Sequence, residues 1–289
     1  MACAVRVGPR GKFKPLAPRS PSTSFCISTL SDMTRTAKLI TLLPSADVDL
    51  ARWMLAHWGI PFDERPHAPI FHILALRSYG AGRMDSPLLI HEGAKFAGVD
   101  RIAAGFDPLA PADRRLVPDA NTDPALHGDV MTVQHDLRWN LGMGTVKWAY
   151  FHFLKDRALV WPSFTTGVPI WERAFLFCGG FGLVKSRLID ALKLSQASAN
   201  EALGAVQRGF DLVESRLADG RPHLCGDRLT LADLAFATSG GPMVLANGYG
   251  GHLPRLESCP PDVQAVITDL RARPAGRYIQ QLYDTYRVI

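Results

Sequence analysis

The residues with the capacity for chemistry are scattered along the chain. Five cysteines, Cys3, Cys26, Cys178, Cys225 and Cys259, form no CxxC pair, so neither a dithiol redox centre nor a zinc knuckle is spelled out. Their odd number argues against a disulfide framework and for a reducing, intracellular compartment. Cys178, set among Phe177 and glycines, reads as a buried small hydrophobe. The pairs His67/His72 and His127/His135 lack the i,i+4 spacing with which a helix offers two imidazoles to a metal. No metal site is expected. Gly-Gly and Gly-x-Gly pairs occur outside the strand–glycine–helix context of a nucleotide site. Ser45 stands out because it follows a proline and immediately precedes a helical period, where a hydroxyl caps helix amides.

Charge and composition narrow the function classes. The chain has 289 residues, 47% apolar and 20% charged, enough for one or two ordinary globular domains. Its net charge of +5 resides in the first thirty-one residues, where Arg6, Arg10, Lys12, Lys14 and Arg19 meet no acid. The remainder is near balance, which gives no nucleic-acid footprint. Residues 1–36 are expected to be a disordered basic extension. They resemble an organelle transit peptide, or else translation starts at Met33. The expected location is cytoplasmic, with organelle targeting by residues 1–32 as the alternative. No apolar run approaches the roughly 18 residues that span a bilayer, so no integral membrane segment is expected. The longest, Ala174 to Val184, is broken by glycines. The part from Phe175 to Val184 reads as a glycine-rich helix interface or a membrane-facing surface.

Periodicity then supplies the elements that would hold these residues. Leu39 to Leu43 reads as a buried strand. Val48, Ala51, Leu55 and Trp58 share one helical face, closed by Gly59. Ile60-Pro61-Phe62 opens a second strand. His67 to Asp85 shows no clear period and reads as an irregular connection. Leu88 to His91 and Ala94 to Phe96 read as a hairpin through Glu92-Gly93, and Asp100 to Phe106 as a short helix. The order β-α-β, connection, β-β-α is thioredoxin-like. Prolines at 108, 111, 118 and 124 mark a linker. Beyond it only helical periods appear, carried by Leu203, Val206, Phe210, Val213 and Leu217, then by Val263, Val266, Ile267 and Leu270. Thr230-Leu231-Ala232-Asp233 opens a helix with a capping box, Thr230 accepting from helix amides and Asp233 reaching back. Gly240-Gly241 and Gly248 to Gly251 are read as interruptions. The fold class is therefore α+β followed by all-α. The domains are expected at 37–107 (thioredoxin-like) and 125–289 (all-helical), with a linker over 108–124.

Three segments resemble the glutathione-transferase superfamily. Leu42-Leu43-Pro44-Ser45, followed by Ala51 to Leu55 and Gly59-Ile60-Pro61, is similar to the family's first strand, activating turn, helix and second strand. Ser86-Pro87-Leu88-Leu89 resembles the family's cis-proline segment. Leu224 to Leu234, with its Gly226-Asp227 and Thr230 to Asp233, resembles the family's "GD…T-x-A-D" stretch. Trp148 to His152, Asp156-Arg157 and Gly167 to Arg173 are similar to a divergent bacterial branch.

The resemblance implies a site and an activity. Ser45 falls where serine-type members place the hydroxyl that favours the thiolate of glutathione, and it is the expected catalytic residue. Pro87 is expected cis, turning the Ser86 backbone toward the cysteinyl part of glutathione. The family's "(E/Q)-S" before the third helix matches Gly98 and Val99, and valine has no donor for the γ-glutamyl carboxylate. Asp100 next door is read as that helix's cap or as a contact for the amine. The implied co-substrate is glutathione, the partner a small apolar electrophile, and the assembly a homodimer. Trp139, Trp148, Tyr150, Phe151 and Phe153 are read chiefly as core, or else as the wall of the electrophile pocket. The alternative to an enzyme is a non-catalytic binding or scaffold protein of the same fold, without the γ-glutamyl grip.

Overall fold

The computed structural model describes residues 36–287; the expectations for residues 1–35, including a start at Met33, and for Cys3 and Cys26 lie outside them. Strands β1 (Ala37–Leu42), β2 (Phe62–His67), β3 (Leu88–His91) and β4 (Ala94–Ala97) form a sheet of order β2-β1-β3-β4. The β1–β2 pair is parallel, and β3 is antiparallel to both β1 and β4. Because strand side chains alternate between faces, Leu39 and Ile40 of β1 enter different cores. Leu39 packs in one cluster with Leu50, Trp53 and Met54 of helix α1 (Ala46–Trp58) and with Val99, Ile102 and Phe106 of α3 (Val99–Phe106). Ile40 joins Leu88 and Leu76 on the other face.

Leu76 belongs to α2 (Phe71–Ser78), inside the stretch expected to be irregular. That expectation fails for a physical reason. The helix has only one fully buried side chain, and Ile70 at its N-cap has a φ of 78° and no side-chain cap bond. The strand period of β1 requires the second sheet face to be covered, and α2 covers it. Gly59 ends α1 as expected, in the left-handed conformation at φ 73°.

The segment between the sheet and the helices is pinned. The buried Asp107 carboxylate accepts from Leu116 N–H at 2.6 Å and Val117 N–H at 3.1 Å, while the Leu116 carbonyl accepts from Leu231 N–H at 2.8 Å. Helix α4 (Pro124–Asp136) continues through a π-helical stretch, Leu137–Gly142, into α5 (Met143–Phe153). There follow α6 (Arg157–Thr165), α7 (Ile170–Phe175), α8 (Phe181–Leu192), α9 (Gln196–Leu217), α10 (Leu231–Val244), α11 (Pro261–Ala272) and α12 (Pro274–Tyr286). No strand follows β4 among the described residues.

Helix α10 is the centre of the helical domain, buried from Leu231 to Val244 save for Pro242. A helix apolar on all sides needs neighbours on all sides, and α4, α5, α12 and α1 all contact it. Gly240 and Gly241 do not interrupt it. They are closely approached: a Cβ on Gly240 would lie 2.7 Å from Ile279 Cδ1. Gly248 to Gly251 do lie in a loop. The capping box at the start of α10 is present as expected, with Asp233 accepting from Thr230 N–H at 2.8 Å; the Thr230 hydroxyl also lies 2.8 Å from the same carboxylate. Cys178 is exposed, not buried, because the chain leaves helical geometry there, with Gly179 at φ 109°.

Candidate functional site

Helix α1 begins at the C-terminal end of β1, after a cis Leu43–Pro44 bond. Ser45 occupies its N-cap position with φ −151° and ψ 132°, yet its side chain makes no capping hydrogen bond. The half-buried hydroxyl is therefore available to something other than the helix. Two acids lie in the first turn, Asp47 and Asp49. Both would oppose an anion at this helix end, and both are paired. Asp47 accepts from Arg138 Nε at 2.9 Å and Nη2 at 3.0 Å. Asp49, fully buried, accepts from Arg287 Nη2 at 2.6 Å, the Tyr283 hydroxyl at 2.8 Å and Gly250 N–H at 3.0 Å. Their pairing leaves the partial positive charge of the helix amides uncancelled.

The other expected site residues gather at the same end of the sheet. The β1–β3 register pairs Lys38 with Ile90 and Ile40 with Leu88; continued by two residues, it sets Ser86 beside Leu42. The Ser86–Pro87 bond is cis, and the Ser86 hydroxyl is buried without a hydrogen-bond partner. The Pro87 carbonyl accepts from Gly98 N–H at 2.8 Å, which brings the start of α3 alongside. Gly98, not Asp100, is the N-cap of α3, with φ 77° and ψ 164°. That backbone conformation favours glycine and strains any larger residue. Val99 is fully buried. Asp100 sits in the first turn and accepts from Arg138 Nη1 at 2.8 Å. Arg138, from the π-helical stretch, thus joins α1 to α3 with its own side chain buried. No sequence signal separates Arg138 from other helical arginines; only the fold brings its two carboxylates together.

Ser45 opens onto a small apolar cavity that is continuous with solvent. Ala149, Tyr150 and Phe153 of α5 form one wall, Leu159, Val160 and Phe164 of α6 another, and Tyr249, His252 and Leu253 of the loop after α10 the roof. Of the aromatic residues singled out in the sequence, Tyr150 and Phe153 line this cavity, Trp148 is core and Trp139 is exposed. The polar groups are few. Thr145 Oγ1 is buried and has no partner, and the Ser163 hydroxyl donates to the His252 carbonyl at 2.9 Å. Burial raises the pKa of Tyr150; burial and then the nearby Asp49 raise that of Tyr249. Both phenols remain protonated donors at neutral pH. Among the described residues, no cysteine lines the cavity, and burial pushes the Cys225 thiol up to about 12. None of the described cysteines is placed to act as a nucleophile here. Thr145 and Tyr249 carry no recognisable sequence signal, since neither belongs to a motif.

A sequence model of the family described as glutathione S-transferase, C-terminal domain, matches residues 196–277, from α9 into α12. Residues 196–277 therefore match the glutathione S-transferase C-terminal domain family. Solved glutathione-transferase folds overlay both domains. The β-etherase LigF from Sphingobium sp. strain SYK-6 superposes with a TM-score of 0.51 at 17% identity, covering 86% of this chain and 99% of its own. Glutathione transferase GSTFuA3 from Phanerochaete chrysosporium gives 0.55 at 14% identity, covering 88% and 98%. CsGST63524 of Ceriporiopsis subvermispora, solved in complex with glutathione, gives 0.52 at 14% identity, covering 88% and 99%. At these identities the likeness is one of fold. No curated protein sequence matches the chain. Within the glutathione-transferase fold, Ser45, cis-Pro87 and the start of α3 converge, and the helical domain closes a cavity over the first of them.

Proposed function

We propose that this chain is a glutathione-dependent transferase that conjugates or otherwise processes an apolar electrophile. The observation that carries the reading is the uncommitted Ser45 hydroxyl at the start of α1, opening on the apolar cavity. A free thiol near pKa 8.5 is mostly protonated at neutral pH; lowering it by about two units makes the thiolate dominant, a stabilisation of about 2.7 kcal/mol. One hydroxyl donor and the α1 amides are suited to that task. Ser86 beside cis-Pro87 is the proposed contact for the cysteinyl part, with its unpartnered hydroxyl as a further donor. The α5 and α6 walls exclude water from the electrophile, and the Tyr150 and Tyr249 phenols are donors for a leaving group or carbonyl.

One observation favours a second reading, a binding protein that no longer conjugates. Gly98 and Val99 offer no side-chain donor or acceptor where the γ-glutamyl end is expected, and Asp100 is already engaged by Arg138. Losing one or two charge-assisted contacts at roughly 1.5–3 kcal/mol each weakens affinity by about ten-fold to over ten-thousand-fold. Calorimetric titration of glutathione into the full chain separates the two. Binding in the micromolar to low-millimolar range, with turnover of an aryl halide or enone that falls in Ser45→Ala, is the expected result. Absence of both heat and thermal stabilisation at several millimolar glutathione would rule out the transferase.

A further inference from the structure

On the far side of α6 from the cavity, α7 and α8 and the turn between them carry apolar side chains that nothing in the described chain covers. Ile170 is 83% exposed and Phe177 72% exposed, and Trp171, Phe175 and Leu183 are exposed with them. The segment is nevertheless firmly held. Phe71 of α2 meets Trp171 and Phe175 edge-to-face, with ring centroids 5.0 and 5.2 Å apart. The fully buried Glu172 carboxylate takes His67 Nδ1 at 2.6 Å and Ala68 N–H at 2.8 Å. The apolar side chains are thus presented by an anchored element.

Cations are interleaved with them. Arg173 lies one helical turn from Ile170 and Phe177, and Arg187 one turn from Leu183. The Arg157 guanidinium lies over the Phe181 ring at 5.4 Å and the Phe177 ring at 5.9 Å. From 170 to 190 the acids are Glu172, which is buried, and Asp190, against Arg173, Lys185 and Arg187.

We propose that this face docks on an anionic lipid surface, with Ile170, Trp171 and Phe177 entering the headgroup boundary and the arginines meeting lipid phosphates. Aromatic and aliphatic side chains beside Lys and Arg are the composition of an interfacial element, and each cation near such a surface adds about 1 kcal/mol. The contact is peripheral, since no helix of the described residues is long and apolar enough to cross a membrane. A second copy fits less well, because a two-fold contact sets one cationic rim against another. Behind this face, Phe181 packs with the α6 residues Trp161 and Phe164, at 6.4 and 6.2 Å between rings, and Phe164 lines the cavity. The inference does not depend on the transferase reading.

Co-sedimentation of the full chain with vesicles tests it, comparing phosphatidylcholine alone with a mixture containing roughly one-third phosphatidylserine. Binding to the anionic vesicles that weakens with added salt is expected. Ile170→Ser with Phe177→Ser lowers the partition coefficient by at least about ten-fold. Arg173→Ser with Arg187→Ser lowers it by roughly 30-fold, two cations' worth. Both variants keep the parent melting temperature, since the altered side chains are exposed. Absence of binding, or equal binding to the two vesicle types, overturns the proposal. Unchanged binding in the Ile170/Phe177 variant would assign the contact elsewhere, for instance to Arg6 through Arg19, and overturns it too. A concentration-dependent dimer in sedimentation velocity that these substitutions dissolve would give the face to a second copy instead.

Discussion

Asp49→Asn is the substitution that most directly tests how the two domains are joined at the site. The carboxylate is fully buried in α1, and it gathers three partners from the far end of the chain: Arg287, Tyr283 and the Gly250 amide. Arg287 has a side chain only 8% exposed and also lies 5.0 Å from the Trp53 ring centroid. Asparagine keeps the shape and can still accept one hydrogen bond, but it leaves the guanidinium uncompensated. Breaking a buried pair in this way costs about 3–5 kcal/mol. Because the asparagine oxygen can still accept from the guanidinium, the lower end, about 3 kcal/mol, is expected. For a protein of this size that is a fall of roughly 6–12 °C in Tm. Gly250 belongs to the loop that roofs the cavity, so amide hydrogen exchange should accelerate from Gly248 to Leu253 before it does in α10. Adding Arg287→Met removes the orphaned charge and should recover more than half of the lost Tm, because deleting both partners costs far less than deleting one. A Tm within 2 °C of the parent, or a double variant as unstable as the sum of the singles, would refute this account of the joint.

Other expectations concern separate parts of the molecule. Burial, and then the neighbouring His67, draw the His72 pKa down to about 4, whereas the unfolded chain titrates near 6.5. The stability that this neutral imidazole confers is complete above pH 6.5 and is lost between about 6.5 and 4, on the order of 3 kcal/mol in all. His72→Gln should flatten the fall in urea midpoint over that window, and an unchanged profile would exclude His72 as its source. A Cβ on Gly144 would lie 2.8 Å from the main-chain oxygen of Ala202 in α9, an atom that cannot swing aside. Gly144→Ala should cost about 1–3 kcal/mol, read as a lower Tm, and equal stability would show that α5 and α9 can separate freely. Arg138→Met leaves Asp47 and Asp100 without their partner, but those side chains are 37% and 56% exposed and can rehydrate. A loss of about 1.5–3 kcal/mol in chemical denaturation is expected, and it should be less than additive with Asp47→Asn.

The sequence by itself determined the order of elements wherever local chemistry repeats. Strand β1, the α1 face that ends at Gly59, the β3–β4 hairpin and the Thr230 to Asp233 helix start are each written in a few consecutive residues. Their periods and caps depend on neighbours three or four positions away, so they are legible without the fold. The resemblance to the glutathione-transferase superfamily was legible for the same reason, since its segments combine such local signals. Helix α2 was not, because its assignment rests on one buried leucine and on an uncovered face of the sheet. Cys178 and Gly240-Gly241 misled in opposite directions. Burial depends on what packs from elsewhere: Cys178 lies on a turn that nothing covers, and the two glycines lie where α10 is approached most closely. At the site, Ser45 could be named from the turn before a helix, but its freedom could not. That freedom arises because Arg138 comes 91 positions later to neutralise Asp47, and Arg287 comes 238 positions later to neutralise Asp49. Charge pairing across the fold acts through space rather than along the chain, and only the tertiary structure decides it.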